Sequence, residues 1–129
     1  LEHPAANAYC PAQAIIAQVA EWQAEDPANG GAPLEIGVGL NFGPAVVGDI
    51  GQREAVTPAV IGATVNLAAR LEKATRELGS DAVLSEQFAN RLHSEVPVAA
   101  PTLLARYGQT QTIQVKGFSE PVRVFFNNC

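Results

Sequence analysis

The chain has 129 residues, 13 of them acidic and 8 basic, for a formal charge of −5. That length makes a single domain over 1–129 with room for a core. The acidic balance speaks against a nucleic-acid partner, because phosphate backbones select for stripes of Lys and Arg. No apolar run reaches the roughly 20 residues that cross a bilayer and no basic-then-apolar leader opens the chain, so no membrane contact is expected. Cys10 and Cys129 lie at opposite ends without C-x-x-C spacing; no metal site is read from them, no disulfide can be argued, and a reduced, cytoplasmic setting fits. The opening on Leu1 rather than Met reads as a piece of something longer.

Residues 1–8 are rich in Pro and Ala and carry His3, which has no partner at ligand spacing. From Pro11 the apolar residues Ile15, Ile16, Val19 and Trp22 follow helical spacing, predicting an amphipathic helix over 11–25 with Pro11 in its first turn. Turn chemistry predicts a loop over 27–33. Residues 34–40 alternate Leu34, Ile36, Val38 and Leu40 with Glu35, Gly37 and Gly39, a period-two strand whose glycine face lets another backbone or a ligand approach. A second strand, 45–50, follows Gly43-Pro44, and the two read as a hairpin. Gly37, Gly39 and Gly43 do not form a G-x-G-x-x-G phosphate loop.

Residues 52–58 read as a polar loop, and the short apolar run 59–61 leads to a helix that begins at Ala63 and stops at Gly79. Within that helix Asn66 and Arg70 are one turn apart on the same side, while Val65, Leu67, Ala68 and Leu71 occupy the other faces. An amide beside a guanidinium can bind an anionic or sugar-like ligand, though two ordinary surface polar residues would show the same spacing. Beyond it come a short strand over 81–84 and a helix capped by Ser85 that runs to about Leu92, with His93 at its dipole-favoured end. Two strands, 103–115 and 121–126, flank the Lys116-Gly117 turn. The order α-β-β-α-β-α-β-β argues an α+β fold with helices packed on a mixed sheet.

The run from Leu34 to Asn66 and the helix that follows resemble the class III nucleotidyl (adenylate/guanylate) cyclase catalytic domain. The residues that carry the likeness are Gly43, Val47, Gly48, Ile50, Gly51, Ile61, Gly62, Val65, Asn66, Ala68, Arg70, Leu71 and Glu72; QVKGFSEPVRVFF resembles the family's closing hairpin. The resemblance implies a ferredoxin-like, palm-type mixed sheet represented by its C-terminal two-thirds, with the family's N-terminal strands missing. It implies conversion of a nucleoside triphosphate, ATP favoured over GTP, to the 3′,5′-cyclic monophosphate and pyrophosphate in intracellular signalling. By the same resemblance Asn66 orients the ribose and Arg70 stabilises charge on the transferring phosphate. Ala59 and Gly62 line the substrate, and Lys116 is a weaker phosphate contact for which a solvated turn lysine is the competing reading. The active unit is a homodimer, or this chain with a complementing cyclase segment.

Departures from the family pattern set the alternative. The Mg²⁺ or Mn²⁺ ions that the family uses are held by two aspartates upstream of the first helix of this chain, so the resemblance leaves no metal ligand here; Asp49 is in the wrong segment. Ala59 stands where many members place a purine-reading Asp, Thr or Cys, and Ala63 replaces the usual Asp after the glycine. The alternative is therefore a catalytically degenerate cyclase-like domain acting as a regulatory or dimerisation module.

Overall fold

The computed structural model describes residues 2–25, 35–50 and 57–127. The expected loop at 27–33, residues 52–56 of the expected polar loop, and Cys129 lie outside them. Helix α1 spans Pro4–Glu25, strand β1 Val38–Leu40, β2 Val46–Ile50 and β3 Thr57–Ile61. Helix α2 spans Ala63–Leu78, β4 Ala82–Ser85, α3 Glu86–Glu95, α4 Ala100–Leu104, β5 Gln109–Ile113 and β6 Val122–Phe126.

The main sheet runs β1-β4-β6-β5, and β2 and β3 form a separate two-stranded ribbon. β1 lies parallel to β4 in the register Val38↔Ala82, Gly39↔Val83, Leu40↔Leu84, and β6 is antiparallel to both its neighbours. This is the mixed sheet that the sequence predicts. The predicted hairpin between 34–40 and 45–50 is not formed, because β2 pairs antiparallel with β3 instead. Periodicity assigns a strand its faces but not its partner.

Alternation in β4 separates two cores. Ala82 and Leu84 join Tyr9, Ala12 and Ile16 of α1, Phe88 and Leu92 of α3 and Tyr107 in one buried cluster. Val83 faces the other way, with Leu67, Leu71 and Ala74 of α2 and Val122, Val124 and Phe126 of β6. Helices therefore cover both faces of the sheet.

The glycine face of β1 is covered by the α2 backbone. A Cβ on Gly39 would fall 2.3 Å from the Ala68 carbonyl oxygen and 2.5 Å from the Glu72 nitrogen, and one on Gly37 would fall 2.1 Å from Thr75 Oγ1. Any side chain there would push α2 off the sheet.

Several boundaries move for identifiable reasons. α1 begins at Pro4, so the first-turn proline is Pro4 and Pro11 lies inside the helix. The Ala5 and Ala6 amides donate to Glu95 Oε2 and Oε1, each at 2.9 Å, which satisfies first-turn donors that a local cap would otherwise serve. Ile16 and Val19 are buried, whereas Ile15 and Trp22 are more than half exposed. The predicted strand over 103–115 is largely replaced by α4, a 3-10 turn over Ala105–Tyr107 and then β5. Buried Ala100 and Tyr107, with Leu103 and Leu104 packed beside them, hold that stretch helical against the α1 side. α3 continues to Glu95, and the capping role read for Ser85 is present: its Oγ accepts from the Phe88 amide at 3.0 Å.

Candidate active site

α2 is where backbone and chemistry meet. Gly62 joins β3 to the helix with φ 132°, a conformation that side chains resist, and the helix ends at Gly79 in the left-handed region with φ 64°. Leu67, Leu71, Ala74 and Thr75 are buried against the sheet. That leaves Asn66 and Arg70 on one stripe away from the core, about 6 Å apart along the axis. The Asn66 side chain is exposed, while its backbone N–H donates to the Gly62 carbonyl at 3.1 Å. Arg70 is about one-third exposed and reaches Glu77, its Nη1 and Nη2 lying 3.5 and 3.4 Å from Oε1 and Oε2.

An exposed ion pair that long contributes well under about 1 kcal/mol, so a phosphate can draw the guanidinium away cheaply. Amide and guanidinium together offer hydrogen bonds to a hydroxyl and positive charge to a phosphate.

The other candidate residues are placed around this stripe. Ala59 lies in β3 opposite Gly48 and is half-buried, three residues before Gly62. Its methyl can shape a pocket but cannot read a base edge by hydrogen bonding. Gly62 is required by its backbone conformation whatever it contacts. Lys116 is exposed in the turn with Gly117, whose φ is 92°. Its neighbour Val115 is buried with Leu67 and Leu71, which puts the turn on the α2 side of the sheet.

Sequence reasoning missed the polar network at the base of the stripe. Asn41, just after β1, donates from Nδ2 to the Thr64 carbonyl at 3.0 Å, and Ser85 Oγ donates to Asn41 Oδ1 at 2.6 Å. Thr64 Oγ1 in turn donates to the Pro44 carbonyl at 2.5 Å. Only the break of an apolar alternation by Asn41 hinted at it.

Among the described residues no group of three or more His, Cys, Asp and Glu side chains can hold a metal ion. Glu72 and Glu77, the acidic residues of α2, are engaged by Arg76 and Arg70. These residues do not fit a resident Mg²⁺ or Mn²⁺. The buried Tyr107 stays a neutral hydroxyl near neutral pH. Burial pushes its pKa up to about 12, against a hydrogen bond from Gln13, and its hydroxyl donates to Asp81. A cavity of about 680 Å³ opens at the other end of α2, lined in part by Ile16, Val19, Thr75, Gly79 and Arg106. Its α2 lining begins at buried Thr75, roughly 13 Å along the helix from Asn66 and about half a turn round it, so the cavity opens on a different face from the stripe.

No family model matches the chain. An adenylate cyclase of Anabaena cylindrica is 25% identical over 92 residues, 71% of this chain and 17% of that protein. The terminal-differentiation-specific adenylate cyclase of Dictyostelium discoideum is 27% identical over 92 residues, 71% of this chain and 4% of that protein. An uncharacterized protein of Mycobacterium tuberculosis is 29% identical over 124 residues, 96% of this chain and 19% of its own length. The crystal structure of the guanylyl cyclase Cya2 superposes with a TM-score of 0.68 at 26% identity, covering 93% of this chain and 55% of the other.

In sequence and fold the chain is similar to class III nucleotidyl cyclase domains. It spans about half of the Cya2 chain and less than a fifth of each curated relative cited. Among the described residues, no helix is long and apolar enough to cross a membrane.

Proposed function

We propose that this domain supplies the ribose- and phosphate-contacting side of an intracellular nucleotidyl cyclase site. The reaction takes a nucleoside triphosphate, with ATP favoured over GTP. Its 3′-hydroxyl oxygen bonds to the α-phosphorus, the bond from that phosphorus to the bridging oxygen breaks, pyrophosphate leaves, and the hydroxyl proton passes to solvent. Asn66 orients the ribose by hydrogen bonding, and Arg70 meets charge as it develops on the phosphate. Lys116 and the Ala59–Gly62 approach border the substrate. In this reading the metal-holding carboxylates are supplied across a homodimer or by a complementing cyclase segment.

The observation that carries this reading is the stripe itself: Asn66 and Arg70 project from a helix whose opposite face is locked to β1 by Gly37 and Gly39. Preorganised donors on a rigid element are what electrostatic catalysis asks for. The alternative, a degenerate regulatory or dimerisation module, is favoured by Ala59, which offers no base-reading group, and by Ala63, which stands where the family usually places Asp.

Complementation separates the two. The purified chain with Mn²⁺-ATP or Mn²⁺-GTP should form no cyclic nucleotide. Mixed with a cyclase subunit that keeps its metal carboxylates but has lost its own Asn and Arg, it should restore turnover. Activity of the chain alone would refute the need for outside carboxylates, and a silent mixture that nonetheless forms a complex would favour the regulatory module.

A further inference from the structure

Asn66 stands in the first turn of α2, whereas the tight seat of that helix on β1 lies further along, at Ala68, Glu72 and Thr75. Gly62 at the N-cap offers no side-chain cap. A helix gripped at its middle and uncapped at its start is free to fray at the turn that carries Asn66.

Asn41 closes that gap. Its half-buried amide joins three elements: the end of β1, the first turn of α2 through the Thr64 carbonyl, and the junction of β4 with α3 through Ser85. Its orientation is set by its partners. The Thr64 carbonyl can only accept, so Nδ2 faces it. Ser85 Oγ already accepts from the Phe88 amide, so its own proton is available to Asn41 Oδ1. Ser85 is completely buried, which makes it a fixed anchor. Thr64 is held a second time through its hydroxyl to Pro44, and a Cβ on Gly43 would fall 2.7 Å from that hydroxyl, so the 41–44 loop packs closely on the same turn.

We propose that Asn41 is a positioning residue for Asn66, setting the height and rotation of the first turn of α2 relative to the buried Ser85. The inference rests on the cyclase reading for its catalytic consequence, but its structural half stands apart. Asn41→Asp keeps the shape and puts a carboxylate oxygen against the Thr64 carbonyl; Asn41→Leu keeps the volume and loses both bonds.

Two readouts test it. In the 129-residue chain, amide hydrogen exchange at Asn66, Leu67 and Ala68 should quicken on the order of tenfold in both variants, while amides of the last turn of α2 and of β4 keep their rates. Equal acceleration throughout would make Asn41 a general stability residue and overturn the proposal, as would no acceleration. In the complemented enzyme, kcat should fall about tenfold or more with KM little changed. Unchanged kcat beside quickened exchange would overturn the link to Asn66. If the unsubstituted chain restores no turnover, the cyclase reading and this catalytic link fail together, while the exchange data still decide whether Asn41 holds the turn.

Discussion

Glu95 shows how one side chain can serve three groups. Its carboxylate accepts from the Ala5 and Ala6 amides and pairs with Arg91 at 2.8 Å, with a side-chain exposure of 2%. Burial acts to raise its pKa; the two amide hydrogen bonds and Arg91 outweigh that and leave it below the ordinary value of 4.5. A depressed carboxylate pKa means that the folded state prefers the ionised form. Its stabilising contribution is therefore complete above the ordinary pKa and is lost as pH falls through the lower, folded value. Glu95→Gln should cost about 1–2 kcal/mol at pH 7 and flatten the loss of stability below pH 4.5, followed by urea denaturation across pH. An unchanged acid profile would show that Glu95 does not cap α1. Arg91 also lies over the Phe42 ring, 5.0 Å from its centroid, so the start of α1 is tied through Glu95 and Arg91 to the loop that carries Asn41.

The elements are held together by close backbone contact as much as by side-chain burial. Gly39→Ala should destabilise by about 1–3 kcal/mol or more, because the two atoms nearest the added methyl are backbone atoms of α2, at 2.3 and 2.5 Å. Gly48→Ala in the ribbon, where an added Cβ meets nothing within 4 Å, serves as the control. Similar losses from the two, measured by denaturant midpoint, would contradict the close packing of β1 on α2. Much of this was legible in the chain. The glycines of 34–40 announced a close approach, and Ala63 and Gly79 bracketed α2 because a glycine turn and a left-handed cap are local signals. The parallel pairing of β1 with β4 was not legible, since it joins residues more than 40 apart and alternation is blind to partners. α4 was missed for a different reason: five residues are too few for a period, and Leu103 and Leu104 side by side fit a strand as well as a helix. Asn41 showed only as a break in the apolar alternation, because its partners are 23 and 44 residues away.

At the scale of the molecule, β1 is an edge of the main sheet, paired only with β4 among the described residues. The ribbon adds Val46, Val47, Val60 and Ile61, all at least half exposed. Open strand edges and clustered exposed apolar side chains are templates for association. At micromolar concentration the chain should therefore sediment above its 13.5 kDa monomer mass, or require an added segment to stay compact. A single monomeric species with cooperative unfolding would show that the fold closes by itself.

The central claim is that α2 presents Asn66 and Arg70 as one catalytic stripe, and the rate constant of Arg70→Ala in the complemented enzyme tests it most directly. An interaction that strengthens only as charge develops on the phosphate lowers kcat when removed and leaves KM nearly unchanged. The account predicts a loss of roughly a hundredfold in kcat for Arg70→Ala and little effect for Lys73→Ala, an exposed neighbour on the same helix. Equal effects from the two substitutions, or a change confined to KM, would contradict it.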